Sequence, residues 1–141
     1  MPSLLGTHPP GLIEAVLDDV RVGLTIVDKS GNVVLANRAA RRFFGEEHNP
    51  VGVSFTAFRR AYRVQDSQGR DIPTAKCALT RALAGEPVEP QDLRVIHPDG
   101  RSKWAHTGAH EFSVLGQTGV LLLICDETEQ VEQGPIGVAA V

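Results

Sequence analysis

The spacing of hydrophobic residues predicts that the chain begins with a helix and continues into two strands. Between residues 12 and 20, apolar residues fall at the i, i+1, i+4, i+5 and i+8 positions that share one face of a helix. Runs rich in β-branched residues at 22–27 and 33–36 then indicate strands, and the glycine and turn-forming residues at 28–32 favour a hairpin between them. An amphipathic helix and a β-hairpin are therefore expected first.

Short helices are expected after this hairpin. Asn37 is a favourable N-cap for a helix over residues 38–44, and Gly45 is a typical residue to end it. Apolar positions are sparse in residues 46–72, where proline and glycine interrupt every period, so the pattern predicts only one or two short helices around 54–63.

The second half of the chain predicts one longer helix and three strands. Good helix formers with an apolar stripe occupy residues 74–84, and Gly85 ends the pattern. Strand-like runs follow at 88–96, 102–114 and 119–125, and short turn sequences join them. These runs raise the number of predicted strands to five.

The outer face of this sheet needs a cover. Residues 120–125 do not alternate between apolar and polar, which indicates a strand buried on both faces. The N-terminal helix is the obvious cover, either for its own sheet or for that of a second copy in a homodimer. The residues expected at this contact are Leu12, Ile13, Val16 and Leu17.

Composition and charge exclude several classes of function. The 141 residues suffice for one domain with a sizeable core but not for two large domains. A formal net charge of −3 provides no basic field for nucleic acid or an anionic membrane surface, and no segment resembles a signal peptide or a membrane span. Cys77 and Cys125 fit neither a disulfide framework nor a zinc site. We expect a cytoplasmic protein with reduced thiols and with no nucleic-acid or membrane partner.

Four segments of the chain resemble hallmarks of the PAS sensory family. They are VDKSGNVVLANRAA at 27–40, ALAGEPV at 82–88, PDGRSKW at 98–104 and DETE at 126–129. Their order and spacing together carry the resemblance.

The resemblance implies an α+β fold. The implied sheet is five-stranded and antiparallel, with short helices enclosing a pocket on its concave face and the N-terminal helix covering the other face. The expected organisation is an N-terminal loop at 1–11, a PAS-like domain at 12–129 and a short C-terminal tail at 130–141.

The resemblance also implies a non-enzymatic role in signal transduction, as a sensory domain that binds a small apolar ligand or a protein partner and dimerises. Asp126 and Thr128 match the Asp-x-Thr ending through which family members pass a conformational change to a following helix. Both residue types also favour plain helix capping, so the two interpretations stay open. Glu127, between them, stands where the family more often has an apolar residue.

The chain offers little room for an output domain, because only residues 129–141 follow Thr128. Family members usually control a kinase, a phosphatase or another regulator. We therefore expect either a stand-alone sensor that acts on a separate partner of this kind or a sensor excised from a longer protein.

The region that walls the pocket in the family is rich in aromatic residues. Such side chains can cradle an apolar ligand, or they can fill the core themselves. The predicted ligand-binding residues are Phe43, Phe44, Phe55, Phe58, Tyr62, Leu79, Leu83 and His106.

No cofactor is identified by the sequence. The Asn-Cys-Arg-Phe type of helix that forms a flavin adduct in some relatives is missing, and Cys77 is expected to be a buried structural thiol. A lone imidazole such as His106 can ligate haem iron, but haem-binding relatives take their ligand from the long helix, which holds no histidine here. No metal site is predicted, because His106 and His110 on one strand would lie roughly 13 Å apart.

Six arginines crowd the same middle region. They could meet an acidic partner or the anionic head of a ligand, or they could form a solvated helix face. These residues are Arg38, Arg41, Arg42, Arg59, Arg60 and Arg63.

A small enzyme of the isomerase or dehydratase type is the alternative function. It would need an acid or base in the cavity with a partner in hydrogen-bond reach. His106 with Asp66, Asp71 or Glu111 is the conceivable pair, but no spacing in the sequence enforces it. The order of elements favours the non-enzymatic interpretation.

Overall fold

The structure, a computed structural model, describes residues 11–45 and 49–132. Almost all of the predicted N-terminal loop and of the predicted tail lies outside these residues, as do His8 and His48. The side chain of Ile13 also lies outside the described part.

Six strands form one antiparallel sheet, with helices packed against it. The strands are β1 (Gly23–Asp28), β2 (Val33–Ala36), β3 (Arg63–Asp66), β4 (Gln91–Ile96), β5 (Ser102–Val114) and β6 (Gln117–Asp126), in the order β2-β1-β6-β5-β4-β3. The helices are α1 (Leu12–Asp18), α2 (Arg38–Phe44), α3 (Phe55–Arg59), α4 (Ala78–Leu83) and α5 (Thr128–Glu132), with a 3₁₀ turn at Thr74–Lys76. This is the predicted α+β architecture.

The sheet has one strand more than the sequence pattern predicts. Helix α3 ends at Arg59, and the chain then pairs with β4 instead of extending the helix toward residue 63. Val64 lies opposite Val95 in this pairing, and both side chains are buried. The strand therefore buries an apolar pair against the sheet, which favours it over a longer helix.

The predicted helix at 74–84 is interrupted in the middle. Cys77 has an extended conformation with ψ of 162° between the 3₁₀ turn and α4. The Thr80 hydroxyl donates a hydrogen bond of 2.9 Å to the Thr74 carbonyl across this break. The Thr74 carbonyl thus accepts from this hydroxyl and, at 3.2 Å, from the Cys77 N–H, instead of from the Ala78 N–H that a continuous α-helix would provide.

Helix α1 is anchored to α2. The Asn37 amide donates a 3.0 Å hydrogen bond to the Leu17 carbonyl, and the Asp18 carboxylate accepts one of 2.7 Å from the first backbone N–H of α2. Leu12 and Val16 remain exposed, so these two side chains do not bury themselves on the sheet of their own chain. Of the described residues of the predicted stripe, Leu12 and Val16 face the solvent, whereas Leu17 is half-buried at the end of α1 that is tied to α2.

The two faces of the sheet differ in burial. Thr25, Leu122 and Ala109 form one row across β1, β6 and β5 on the face that the helices cover, and all three are buried. Ile26 and Leu121 lie on the opposite face and are only half-buried. We call these the inner face and the outer face.

Candidate functional site

A mainly apolar cavity lies between the inner face and the helices α2, α3 and α4. Strands β3 to β6 contribute its floor, and the residues between β3 and α4 contribute part of its wall. Its volume is about 90 Å³. An engineered apolar cavity of about 150 Å³ admits benzene, so the cavity in this conformation has room for a smaller molecule.

Aromatic side chains pack against one another at one end of the cavity. The ring of Phe44 meets the rings of Phe43, Phe58 and Tyr62 at centroid distances of 5.4, 5.0 and 5.5 Å, all near edge-to-face. The Tyr62 hydroxyl donates a 2.8 Å hydrogen bond to the Phe44 carbonyl. These contacts stabilise the cavity wall, because edge-to-face pairs are favourable beyond their buried area.

Arg59 is the charged residue of the cavity wall. Its guanidinium donates hydrogen bonds of 2.8 Å to the Ile72 carbonyl and 3.2 Å to the Thr74 hydroxyl, both of them neutral acceptors. Within residues 11–45 and 49–132, no carboxylate pairs with it. Burial lowers the pKa of the Arg59 guanidinium. The cavity wall therefore holds a half-buried cation whose charge no described carboxylate balances.

Most of the predicted ligand-binding residues lie at this cavity. Phe43, Phe44, Phe55, Phe58, Tyr62 and Leu79 line it, whereas Leu83 packs against the neighbouring core. The aromatic residues thus lie together around a cavity, and this arrangement is compatible both with cradling a ligand and with filling the core. Ligand binding itself stays a prediction.

His106 does not line the cavity. The register of β5 with β4 and β6 places Ala105, Thr107 and Ala109 on the inner face, and His106 and His110 therefore point outward. His106 is half-exposed, and its Nδ1 lies 2.8 Å from Asp92 Oδ1. Its partner is thus none of the carboxylates considered for an enzymatic site.

Sequence reasoning missed several residues of the cavity. Val64, Leu93 and Val95 reach it from β3 and β4, and their alternation along those strands is the signal that would have indicated them. Cys77 also lines it and is buried, as predicted for that thiol. The position of Arg59 depends on long-range contacts that no local pattern reveals.

The end of β6 is tied to β5 through Trp104. The Trp104 backbone N–H donates a 3.0 Å hydrogen bond to the Thr128 hydroxyl, and the Glu127 N–H donates one of 2.8 Å to the Trp104 carbonyl. Asp126 Oδ1 accepts a 2.9 Å hydrogen bond from the Thr128 N–H at the start of α5. We call residues 126–128 the exit junction, because they lead from the sheet into α5.

Comparison with protein-family models identifies the fold. A model of the PAS fold matches residues 11–126. The chain belongs to the PAS family. The matched residues therefore form a PAS sensory and signal-transduction domain, as the sequence motifs implied.

Solved PAS structures share this fold at low sequence identity. The PAS domain of nitrogen regulation protein NR(II) from Vibrio parahaemolyticus is 19% identical with a TM-score of 0.58, over 82% of this chain and 97% of that one. The PAS domain of an HTR-like protein from Haloarcula marismortui is 16% identical with a TM-score of 0.55, over 81% and 88%. The sensor region of a sensor histidine kinase is 21% identical with a TM-score of 0.51, over 76% and 40%. At these identities the likeness concerns the fold alone.

Other comparisons add little to the PAS assignment. No curated protein sequence matches the chain. Among the described residues, no helix is long and apolar enough to cross a membrane. The expected cytoplasmic location stays a prediction.

Proposed function

We propose that this PAS domain is a non-catalytic sensor that binds a small molecule in the cavity of the inner face. The observation that carries the proposal is the charge of Arg59, which no described carboxylate balances, in a mainly apolar wall. An anionic group would give the half-buried guanidinium an opposite charge, and a carboxylate can accept two parallel hydrogen bonds from a guanidinium. The ligand class that this supports is a small carboxylic acid or similar anion with an apolar body.

A non-catalytic role is supported by the chemistry of the cavity wall. The described lining residues include no carboxylate and no imidazole. His106, the base of the alternative isomerase or dehydratase, is bonded to Asp92 on the outer face. General acid–base catalysis requires such a group within hydrogen-bond reach of the substrate.

Native mass spectrometry of freshly purified protein tests ligand binding directly. We expect an adduct of small mass, or a thermal shift with short-chain carboxylic acids when the ligand is lost in purification. Ala78→Leu should abolish either signal, because Ala78 lines the cavity and a larger side chain would fill it. Ala84→Leu is the matched control, since Ala84 is exposed at the end of the same helix. Bare protein that no acid stabilises would contradict the proposal.

Dimerisation through apolar side chains that reach the surface is a second part of the proposed function. Leu12 and Val16 on α1 are 44% and 56% exposed, and the outer face of the sheet separately carries half-buried apolar residues such as Ile26 and Leu121. Burying such a surface against a second copy would remove apolar area from water.

Charge substitution tests this dimer. Val16→Glu should convert a dimer into monomers in sedimentation or light scattering, while Ala15→Glu on the exposed part of the same helix should not. Identical masses for wild type and Val16→Glu would contradict a dimer through α1.

Signal output is proposed to pass through the exit junction to a separate kinase, phosphatase or regulator. The support is the double anchorage of residues 126–128 to Trp104, which couples the start of α5 to the sheet. A ligand can shift this junction only by binding its two states with different affinity.

Thr128→Val tests the anchorage, because it removes the hydroxyl that accepts the Trp104 N–H while keeping the side-chain shape. We expect faster hydrogen exchange at the Trp104 amide. Thr118→Val, at an exposed position of β6, should leave that amide unchanged. Equal exchange in the wild type and Thr128→Val would argue against the anchorage.

A further inference from the structure

Three side chains with metal-ligating atoms converge on the outer face next to the exit junction. One potential ligand atom from each of Asp92, His106 and Glu127 lies within 4.8 Å of the other two. Asp92 belongs to β4, His106 to β5, and Glu127 follows the end of β6. The sheet register therefore brings together residues that are distant in the sequence.

The register explains why these residues meet. Asp92 lies opposite His106, which in turn lies opposite Cys125 on β6, so the three form one row across the outer face. Glu127 is two residues beyond Cys125, and its backbone is fixed by the hydrogen bond from its N–H to the Trp104 carbonyl. Directly opposed residues have their Cβ atoms about 4.5–5.5 Å apart. The cluster thus rests on sheet geometry and on the anchored exit junction.

The chemistry of the cluster is that of a cation site. Two carboxylates held side by side repel one another, and a shared cation would relieve this repulsion. Burial and the neighbouring Asp92 carboxylate raise the pKa of Glu127, which reflects the same crowding. An imidazole with two carboxylates is a donor set of transition metals, whereas calcium and magnesium prefer oxygen alone. Cys125, whose thiol is exposed, lies opposite His106 in the same row but does not belong to the cluster.

We propose that Asp92, His106 and Glu127 bind a divalent transition-metal ion, and zinc is the ion with which the proposal is tested. The half-exposed position of Asp92 and His106 leaves the remaining coordination positions to water. The ion connects β4 and β5 to Glu127 in the exit junction, and it therefore holds this junction against the sheet. The site is on the face opposite the cavity and does not depend on a ligand there.

Isothermal titration calorimetry of zinc into chelator-treated protein without a purification tag tests the proposal. We expect one zinc ion to bind per chain. His106→Ala and Glu127→Gln should each weaken binding by more than about tenfold, since even outer-shell partners of a metal site typically contribute that much. His110→Ala is the matched control, because His110 is exposed on the same face of the same strand and forms no ion pair with a described carboxylate.

Thermal unfolding followed by circular dichroism provides the second readout. Zinc should raise the melting temperature of the wild type and of His110→Ala but not of His106→Ala, because a ligand that binds only the folded state stabilises it. The same measurement without metal shows that the variants are folded. Absence of zinc binding with metal in excess, or equal affinity in wild type and His106→Ala, would overturn the proposal. Binding that is lost in Cys125→Ser but kept in His106→Ala would overturn it as well.

Discussion

The inner and outer faces of one sheet carry different chemistry although the same strands supply both. On β5, Ala105 and Ala109 point inward and are buried, whereas His106 and His110 point outward and are exposed. The small inner residues leave space beneath the helices, and the outer residues place titratable groups in water. Alternation along a strand thus places a mainly apolar cavity and a polar surface on opposite sides of a single sheet.

The difference between the faces also divides the proposed functions. A small molecule in the cavity acts on the helices and on the inner row of the sheet. A metal ion or a second copy acts on the outer row, and the exit junction lies where β6 ends, beside the start of β5. Mutations on the two faces should therefore have separable effects.

The largest effect is expected from truncating the inner face. Leu122 is 7% exposed on β6, and Leu122→Ala should lower the free energy of unfolding by about 2–5 kcal/mol, the usual cost of a leucine-sized cavity. Leu121→Ala, next to it on the outer face, should cost only about 1 kcal/mol, because Leu121 is half-exposed. Urea denaturation of both variants measures the difference.

A different relation between these two losses of unfolding free energy would say more about the outer face. If Leu121→Ala costs as much as Leu122→Ala and the loss grows with protein concentration, the outer face is covered in a dimer. Equal costs without any concentration dependence would contradict the division into two faces.

Buried and exposed polar contacts should show a second, smaller difference. The Asn37 amide oxygen accepts hydrogen bonds from the Leu24 and Ala40 N–H groups, and its nitrogen donates to the Leu17 and Val22 carbonyls. Asn37→Ala should lower the free energy of unfolding by about 3 kcal/mol, since it removes a helix cap and leaves buried backbone groups without partners.

The exposed counterpart is the contact between Asp92 and His106. Asp92→Asn should change the free energy of unfolding by less than about 1 kcal/mol in the presence of a chelator, because both side chains are about half-exposed. Chemical denaturation compares Asp92→Asn with Asn37→Ala. Similar losses in both variants would mean that Asn37 is not the buried link between α1, β1 and α2.

Local patterns predicted the elements but not their long-range partners. Asn37 was predicted as an N-cap, and its side chain does accept the Ala40 N–H at 3.1 Å. Its bonds to Leu17 and Val22 depend on how α1 returns to the sheet, which no spacing encodes. Residues four apart on a strand share a face, as His106 and His110 do, but which face this is depends on the register with β4.

The same limit explains the errors in the middle of the chain. Arg59 stands among arginines that have the composition of a solvated helix face, yet its guanidinium reaches the Ile72 carbonyl. The helix formers around Cys77 hid the extended residue at which the helix is broken. Both features are decided by tertiary contacts that override local propensity.

The smallest effect is expected from an exposed turn at the end of β4, where acid should act on a carboxylate. Acid should leave the cavity wall unchanged, because its described residues include no carboxylate. In the turn after β4, the Arg101 backbone N–H and then its guanidinium hold the pKa of Asp99 below its ordinary value. A carboxyl whose pKa is lower in the folded state stabilises the fold above its unfolded pKa of about 3.9, and this contribution is lost as the pH falls through the folded pKa. Asp99→Asn should therefore lower stability slightly at neutral pH and flatten the loss in acid, as measured by urea denaturation from neutral pH to pH values below the unfolded pKa. An acid limb as steep in Asp99→Asn as in the wild type would show that the acid sensitivity comes from other carboxylates.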